Sequence, residues 1–284
     1  MTLTARRPAL DLDTVAAYIE RCQTSDGGFF FARVPPGGAA DTYHALAGLR
    51  LLGREPARAG AASRWLREAA GALLPGHPTT VFHLAQAGIA LGMPRRTLRR
   101  WAAPLSSWHN DRGGFGSWRE MYVEVPPELE ATYHAVVTQL DLDLEVDQEK
   151  VIRFLLAFQN PDGGFGAAGR STIASTYYAV ATLARLGLES SHIGKAADWL
   201  SGRRDDSMVS YLEQLHWLVV GLLAAGRPVP ESERAAGFVL ACWRPSGGFA
   251  RAVTGIPTLE HTHYALRILR ATGVIPCQQG DAGP

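Results

Sequence analysis

The stretch Gln159-Asn160-Pro161-Asp162-Gly163-Gly164-Phe165, followed by Thr176-Tyr177-Tyr178-Ala179 and a close at Leu186-Gly187, decides the fold, because the chain repeats it. Gly-Gly-Phe ends at Phe29, Phe115, Phe165 and Phe249, so the successive gaps are 86, 50 and 84 residues. The first and last gaps each divide into two units of about 43 and 42 residues, which predicts two further copies that have lost their glycines. A fixed period of this length marks an array of similar supersecondary units.

The second half of the unit locates the missing copies. Glycine follows threonine by eleven residues from Thr42 to Gly53, Thr176 to Gly187 and Thr262 to Gly273. The same template laid on Val81-Phe82-His83 reaches Leu91-Gly92, and laid on Leu215-His216-Trp217 it reaches Gly226. Thr132-Tyr133-His134 completes six. Each unit reads as a first helix, a glycine-rich turn and a second helix. First helices over Leu12 to Cys22, Lys150 to Phe158 and Glu233 to Cys242 carry apolar residues at three-to-four spacing. The paired glycines open backbone conformations closed to other residues, and Phe anchors the loop. A Thr or Ser at the start of the second helix caps free N–H groups, and a glycine stops that helix.

Sustained period-two alternation is absent, so the class is all-α. Six helix pairs predict an α6/α6 toroid over residues 11–275, with second helices as the inner barrel and first helices outside. Residues 1–10 are expected to be an N-terminal extension and 276–284 a flexible tail. An open superhelix is the structural alternative; closure removes the end faces that such a solenoid must cap.

Composition narrows the function. The 284 residues are 46% hydrophobic with a net charge of +1, so no charge excess points to nucleic acid or an anionic membrane. No apolar run follows the first residues and none is long enough to span a bilayer, so neither a secretory signal nor a transmembrane segment is expected. Cys22, Cys242 and Cys277 lie far apart, which fits a reducing compartment and a cytoplasmic location.

Gln23-Thr-Ser-Asp-Gly-Gly-Phe29 and Gln159-Asn-Pro-Asp-Gly-Gly-Phe165, each followed by a Thr-Tyr helix, resemble repeats of protein prenyltransferase β subunits and of squalene and other class II terpene cyclases. The resemblance spans Leu12 to Gly273 and implies a toroid with a central, largely apolar cavity. Such prenyltransferases bind Zn²⁺ through Asp and Cys at the start of the fifth inner helix and His at the start of the sixth. The resemblance places that histidine at His261. On the fifth helix two registers stay open, Leu212 with Gln214 or Tyr211 with Glu213, and neither supplies a thiolate. The cyclases' Asp-x-Asp-Asp segment is also unmatched, the nearest strings being Asp141-Leu-Asp143-Leu and Arg203-Arg204-Asp205-Asp206.

The residues just before each template position are Asp41, Thr80, Ala131, Ser175, Gln214 and His261; one place earlier stand Ala40, Thr79, Glu130, Ala174, Glu213 and Glu260. On parallel inner helices these ring one mouth of the barrel, where six helix N-termini favour a diphosphate or a carboxylate. Ordinary capping also accounts for Thr79, Thr80 and Ser175. Asp41, Glu213, Glu260 and His261 are the expected catalytic groups, because repeat six meets repeat one on closure. An imidazole among carboxylates exchanges protons near neutral pH. Tyr43, Glu130, Tyr133, Tyr177, Tyr211, His216, Trp217 and His263 are the expected substrate-binding residues. Aromatic faces suit an isoprenoid chain or carbocationic charge, and packing between the helix layers is the alternative for any one of them.

Two functions follow. The first is an enzyme performing prenyl transfer or acid-base cyclisation on an isoprenoid or other apolar small molecule. The second is a non-catalytic toroid, a binding module or a β-like subunit of a heterodimer. No cofactor is expected, a divalent metal at His261 with carboxylates being the alternative. Whether the substrate carries a diphosphate, and whether a partner chain or a homodimer forms, is left open.

Overall fold

The computed structural model describes residues 10–116, 127–203 and 210–276. Most of the expected N-terminal extension, Cys277 with the rest of the tail beyond Pro276, and the string Arg204-Asp205-Asp206 therefore lie outside the described residues.

Twelve α-helices alternate between two layers among the described residues. The outer layer holds α1 (Leu12–Arg21), α3 (Ala59–Leu73), α5 (Arg95–Ala102), α7 (Gln148–Leu156), α9 (Ser191–Ser201) and α11 (Ser232–Ala241). The inner layer holds α2 (Ala39–Leu51), α4 (Pro78–Ala90), α6 (Pro127–Asp141), α8 (Ile173–Arg185), α10 (Leu212–Ala224) and α12 (Leu259–Ala271). Each inner helix packs on the next in chain order, and α12 packs on α2. The ring is closed, which rules out the open superhelix. Outer helices are amphipathic: α1 buries Val15, Ala16, Tyr18 and Ile19 and leaves its other side to solvent.

The repeated motif is a clamp between neighbouring units. Gly27 and Gly163 take φ values of 102° and 93°, and a Cβ there would lie 2.5 Å from the Ala61 carbonyl oxygen and 2.8 Å from that of Lys195. The second glycine of each pair lies against an aromatic ring of the next outer helix: Gly28 on Trp65, Gly114 on Phe154, Gly164 on Trp199 and Gly248 on Tyr18. The last of these clasps repeat six to repeat one, and Tyr18 adds a hydroxyl bond to the Pro257 carbonyl at 2.9 Å. The Asp162 carboxylate accepts from the Gly164 N–H, the Ser171 hydroxyl and the Trp199 indole, at 3.1, 2.7 and 2.9 Å, and so ties loop to clamp.

The Phe of each intact motif is buried and donates its N–H to the template threonine one inner helix on. The pairs are Phe29 with Thr42 (3.0 Å), Phe115 with Thr132 (3.0 Å), Phe165 with Thr176 (2.9 Å) and Phe249 with Thr262 (3.1 Å). This corrects the capping role expected for those threonines. Thr42 lies inside α2, whereas an N-cap needs an extended backbone, so its hydroxyl is free to accept from the loop. The caps are Thr172 and Thr258, four residues earlier, which accept from the N–H of Ser175 and of His261 at 3.1 Å each.

The expected helix stops hold: Gly53, Gly92, Gly187, Gly226 and Gly273 all have φ between 64° and 76°. Repeat three has Asp143 at that place with φ of 52°, its carboxylate paired with Arg95 at 2.8 Å and Arg99 at 3.0 Å.

Candidate functional site

Two consecutive template positions on every inner helix carry rings, and all six helices turn them inward. Tyr43 and His44, Phe82 and His83, Tyr133 and His134, Tyr177 and Tyr178, His216 and Trp217, and His263 and Tyr264 line one central cavity of about 260 Å³. The rings touch in sequence around the barrel, with His216 stacked on Tyr264 at 4.0 Å and Phe82 on His134 at 4.2 Å. Ala45, Ala135, Ala179 and Ala265, one residue past four of these pairs, are fully buried and outside this lining. Their small side chains let the helices pack closely.

The cavity's imidazoles are neutral. Burial drives His83 down to about 4 and His263 to about 3, and holds His44, His134 and His216 well below the ordinary range. His44 and His263 share a hydrogen bond between their Nδ1 atoms at 3.0 Å, so one ring donates and the other accepts.

Carboxyl groups mark the mouth. Asp41, Glu130 and Glu260 line the cavity at the N-terminal ends of α2, α6 and α12. Burial raises the Asp41 pKa to about 6, with Glu260 adding to the rise against one bond from the Phe31 backbone. Burial also raises Glu130, although the Tyr178 hydroxyl donates to it at 3.0 Å. Glu260 accepts from the Tyr264 hydroxyl at 3.1 Å.

Three expected site residues lie apart. Glu213, His261 and Tyr211 do not line the cavity; they form a cluster with Arg251 beside it. Glu213 accepts from Arg251 Nε at 2.6 Å and faces His261 Nε2 at 3.4 Å, and Arg251 stacks on Tyr211 at 4.0 Å. Burial pushes Glu213 up, but its bonds from His261 and Arg251 outweigh that and hold its carboxyl below the usual range. His261 Nδ1 meets the Thr258 hydroxyl at 2.7 Å. Glu260 therefore faces Asp41 across the mouth, while His261 turns to Glu213 on the neighbouring helix. The four expected catalytic groups split into two pairs.

The sequence reading missed Phe31, Thr258 and Arg267, all in the lining. Arg267 had a signal. It stands five residues past the template threonine, where the other repeats carry Ala47, Gln86, Val137, Ala181 and Val220. A guanidinium in a column of mostly small or apolar residues marks a site.

The sequence matches the prenyltransferase alpha-alpha toroid domain family over residues 1–77 and 66–206. The chain belongs to the prenyltransferase alpha-alpha toroid family. Solved toroids share its fold. A Candida albicans protein geranylgeranyltransferase-I complexed with GGPP superposes with a TM-score of 0.69 at 15% identity, over 92% of this chain and 90% of the other. A variant of the type II terpene cyclase MstE from Scytonema, in complex with geranylgeranyl dihydroxybenzoate, gives 0.61 at 12% identity over 93% and 97%. A protein from Actinoplanes gives 0.59 at 17% over 92% and 98%. No curated protein matches the sequence.

The described residues do not assemble the donor set that the resemblance to prenyltransferase toroids implies for Zn²⁺. A carboxylate, a thiolate and an imidazole make that site, and Zn²⁺ needs three or four convergent donors. Among the described residues no three His, Cys, Asp or Glu side chains converge in this way. His261 lies between the Thr258 hydroxyl and Glu213, which Arg251 already engages, and Cys22 and Cys242 are buried at outer-helix ends. Among the described residues no helix is long and apolar enough to cross a membrane.

Proposed function

We propose that this toroid is an enzyme that cyclises or rearranges a prenyl-type small molecule by proton transfer in the central cavity. The observation that carries the reading is Asp41: a carboxyl group whose pKa burial raises to about 6, at the mouth of a chamber that the inner helices wall with twelve aromatic and imidazole side chains. A general acid works best when its pKa lies close to the operating pH. Protonated Asp41 delivers its proton to a substrate carbon–carbon double bond and becomes the carboxylate, leaving positive charge on carbon. The faces of Tyr43, Phe82, Tyr177 and Trp217 stabilise that charge, and the depressed imidazoles add no competing cation. Loss of a proton from the substrate to a carboxylate of the mouth returns the charge balance.

Prenyl transfer from a diphosphate has less support. Three carboxyl groups face the mouth where the leaving group would sit, and Arg251 beside it is paired with Glu213. An apolar cavity of about 150 Å³ takes a benzene ring, so this chamber suits a body on the order of ten heavy atoms. The open chamber also favours a ligand site over a purely structural toroid.

The test is incubation with ten- and fifteen-carbon prenyl acids, alcohols and diphosphates, with products read by mass spectrometry. Asp41→Asn is expected to cut turnover by about 10²–10⁴-fold while leaving binding intact. The wild-type rate should fall as pH rises through about 6, as the acid form is lost. Undiminished turnover in Asp41→Asn, or no product from any of these compounds, refutes the proposal.

A further inference from the structure

Among the described residues one cation of the barrel, Arg267, has no anion within ion-pair distance. Arg267 lies on α12 below the ring layer, seven residues past Glu260 and so about 10 Å further down the helix axis. It lines the central cavity and also a second one of about 220 Å³, which Val137, Ala181, Val220 and Ala224 bound at the far halves of the inner helices. The guanidinium is thus the floor of one chamber and the roof of the other. Among the described residues no carboxylate lies within ion-pair distance of it. Its recorded partners are neutral: His216 Nε2 at 3.3 Å from one Nη, and the hydroxyl of Tyr177, which in turn donates to Tyr133 at 3.2 Å. The other arginine of the lower chamber, Arg185, is already paired with Asp141.

Buried charges are normally paired, because an isolated ion loses its hydration without repayment. A guanidinium has five N–H groups, and the partners of this one are an imidazole and a hydroxyl with no carboxylate among them, which describes half of a recognition site. The field along the barrel points the same way: carboxyl groups at the mouth and a lone guanidinium at the floor. An anionic ligand group is repelled at the top and attracted at the bottom.

We propose that Arg267 binds the carboxylate of an amphipathic, monoanionic ligand that sits acid-first in the barrel, its apolar body between the rings above. A planar carboxylate takes two parallel N–H bonds from one guanidinium, whereas a diphosphate carries more charge than a single Arg267 offsets. Tyr133, Tyr177 and His216 supply the remaining polar contacts at that depth. This rests on the cavity reading above and also serves it. An unpaired guanidinium opposes positive charge developing on carbon in the same chamber, and a bound carboxylate cancels that opposition.

The experiment titrates 3,7-dimethylocta-2,6-dienoic acid, its methyl ester and the corresponding alcohol into the full chain, followed by calorimetry and by tryptophan fluorescence, to which Trp217 contributes from the cavity wall. The acid is expected to bind at least about 10-fold tighter than the ester or alcohol, a comparison that needs no variant. Arg267→Met is expected to erase that preference while leaving ester affinity unchanged, and Arg267→Lys to keep part of it. The apo Arg267→Met protein should also melt at a higher temperature, since it no longer holds inside the barrel a cation without a counter-ion. Equal binding of acid and ester to the unmodified chain overturns the assignment while sparing the cavity reading. So does a preference that survives in Arg267→Met, or a melting temperature that falls. Binding by none of the three compounds overturns both.

Discussion

Repeats one, three, four and six keep the Gly-Gly-Phe loop and its threonine; repeats two and five have neither, and the ring holds them by other means. In repeat one the connection between helices runs over residues 22–38, and its glycines press on α3. In repeat two it shrinks to residues 74–77, and α5 is secured instead by Arg95 and Arg99. These donate to the Asp141 and Leu142 carbonyls at the end of α6 at 2.5 and 2.7 Å. At repeat five a space of about 150 Å³ remains between α9, α10 and α11, walled by Leu200, Leu218, Leu222 and Phe238 and edged by Glu231 and Arg234. The motif is thus a clamp for the following unit. It is not part of the chemistry: the ring-bearing positions are filled in worn and intact repeats alike.

The sharpest break of this comparison is Gly27→Ala. Positive φ and a backbone oxygen 2.5 Å from the new Cβ together should cost about 3 kcal/mol or more, lowering the melting temperature by roughly 6–12 °C. Gly71→Ala in unclamped repeat two has open space around it and should stabilise by about 0.5–1 kcal/mol. Equal effects in calorimetry would refute the clamp. Thr176→Val is next: it orphans the buried N–H of Phe165 and should cost about 1–3 kcal/mol in a denaturant titration. The mirror change, Val81→Thr, creates no such bond and should be mildly destabilising too. A smaller gain of about 1 kcal/mol is expected from Ala235→Val, which fills the space that repeat five leaves open; an unchanged urea midpoint would mean the space closes in solution.

The smallest effects lie in pH. Asp41, in an intact repeat, has its pKa raised to about 6, so the folded state holds a proton that the unfolded chain releases at its ordinary value of 3.8. Its contribution is full below that ordinary value and is lost as pH rises to about 6. Glu213, in a worn repeat, is shifted the other way, so its contribution is present above the ordinary value and is lost as pH falls through its lowered one. Asp41→Asn and Glu213→Gln should therefore change the pH slope of stability with opposite signs, read as urea midpoints between pH 3 and pH 7.

The fold was legible because the clamp is written in glycine, phenylalanine and threonine at a constant interval, and each of these has one physical use there. The recurrence of rings at fixed template positions was legible for the same reason, but whether a ring faces the axis or packs between the layers was not, since both places suit an aromatic side chain. What escaped depends on individual side chains. Nothing in Glu213-Gln214 or Glu260-His261 tells which of two adjacent polar residues on a helix faces the axis, so the expected catalytic quartet came apart into an Asp41–Glu260 side and a Glu213–His261 side. Arg267 escaped because the reading stopped at the first turn of each inner helix, while its column lies one turn deeper.

The contact of Gly248 with Tyr18 has a further consequence for how the molecule unfolds. In a linear array the terminal units loosen first, since each has one neighbour, and stability is a sum of local terms. Here the last clamp closes on the first outer helix, so every unit has two neighbours and there is no terminal one to fray. Loosening any repeat must break two interfaces at once. Unfolding should then be a single all-or-none event, with amide exchange across all six inner helices governed by one opening free energy instead of a gradient from the ends.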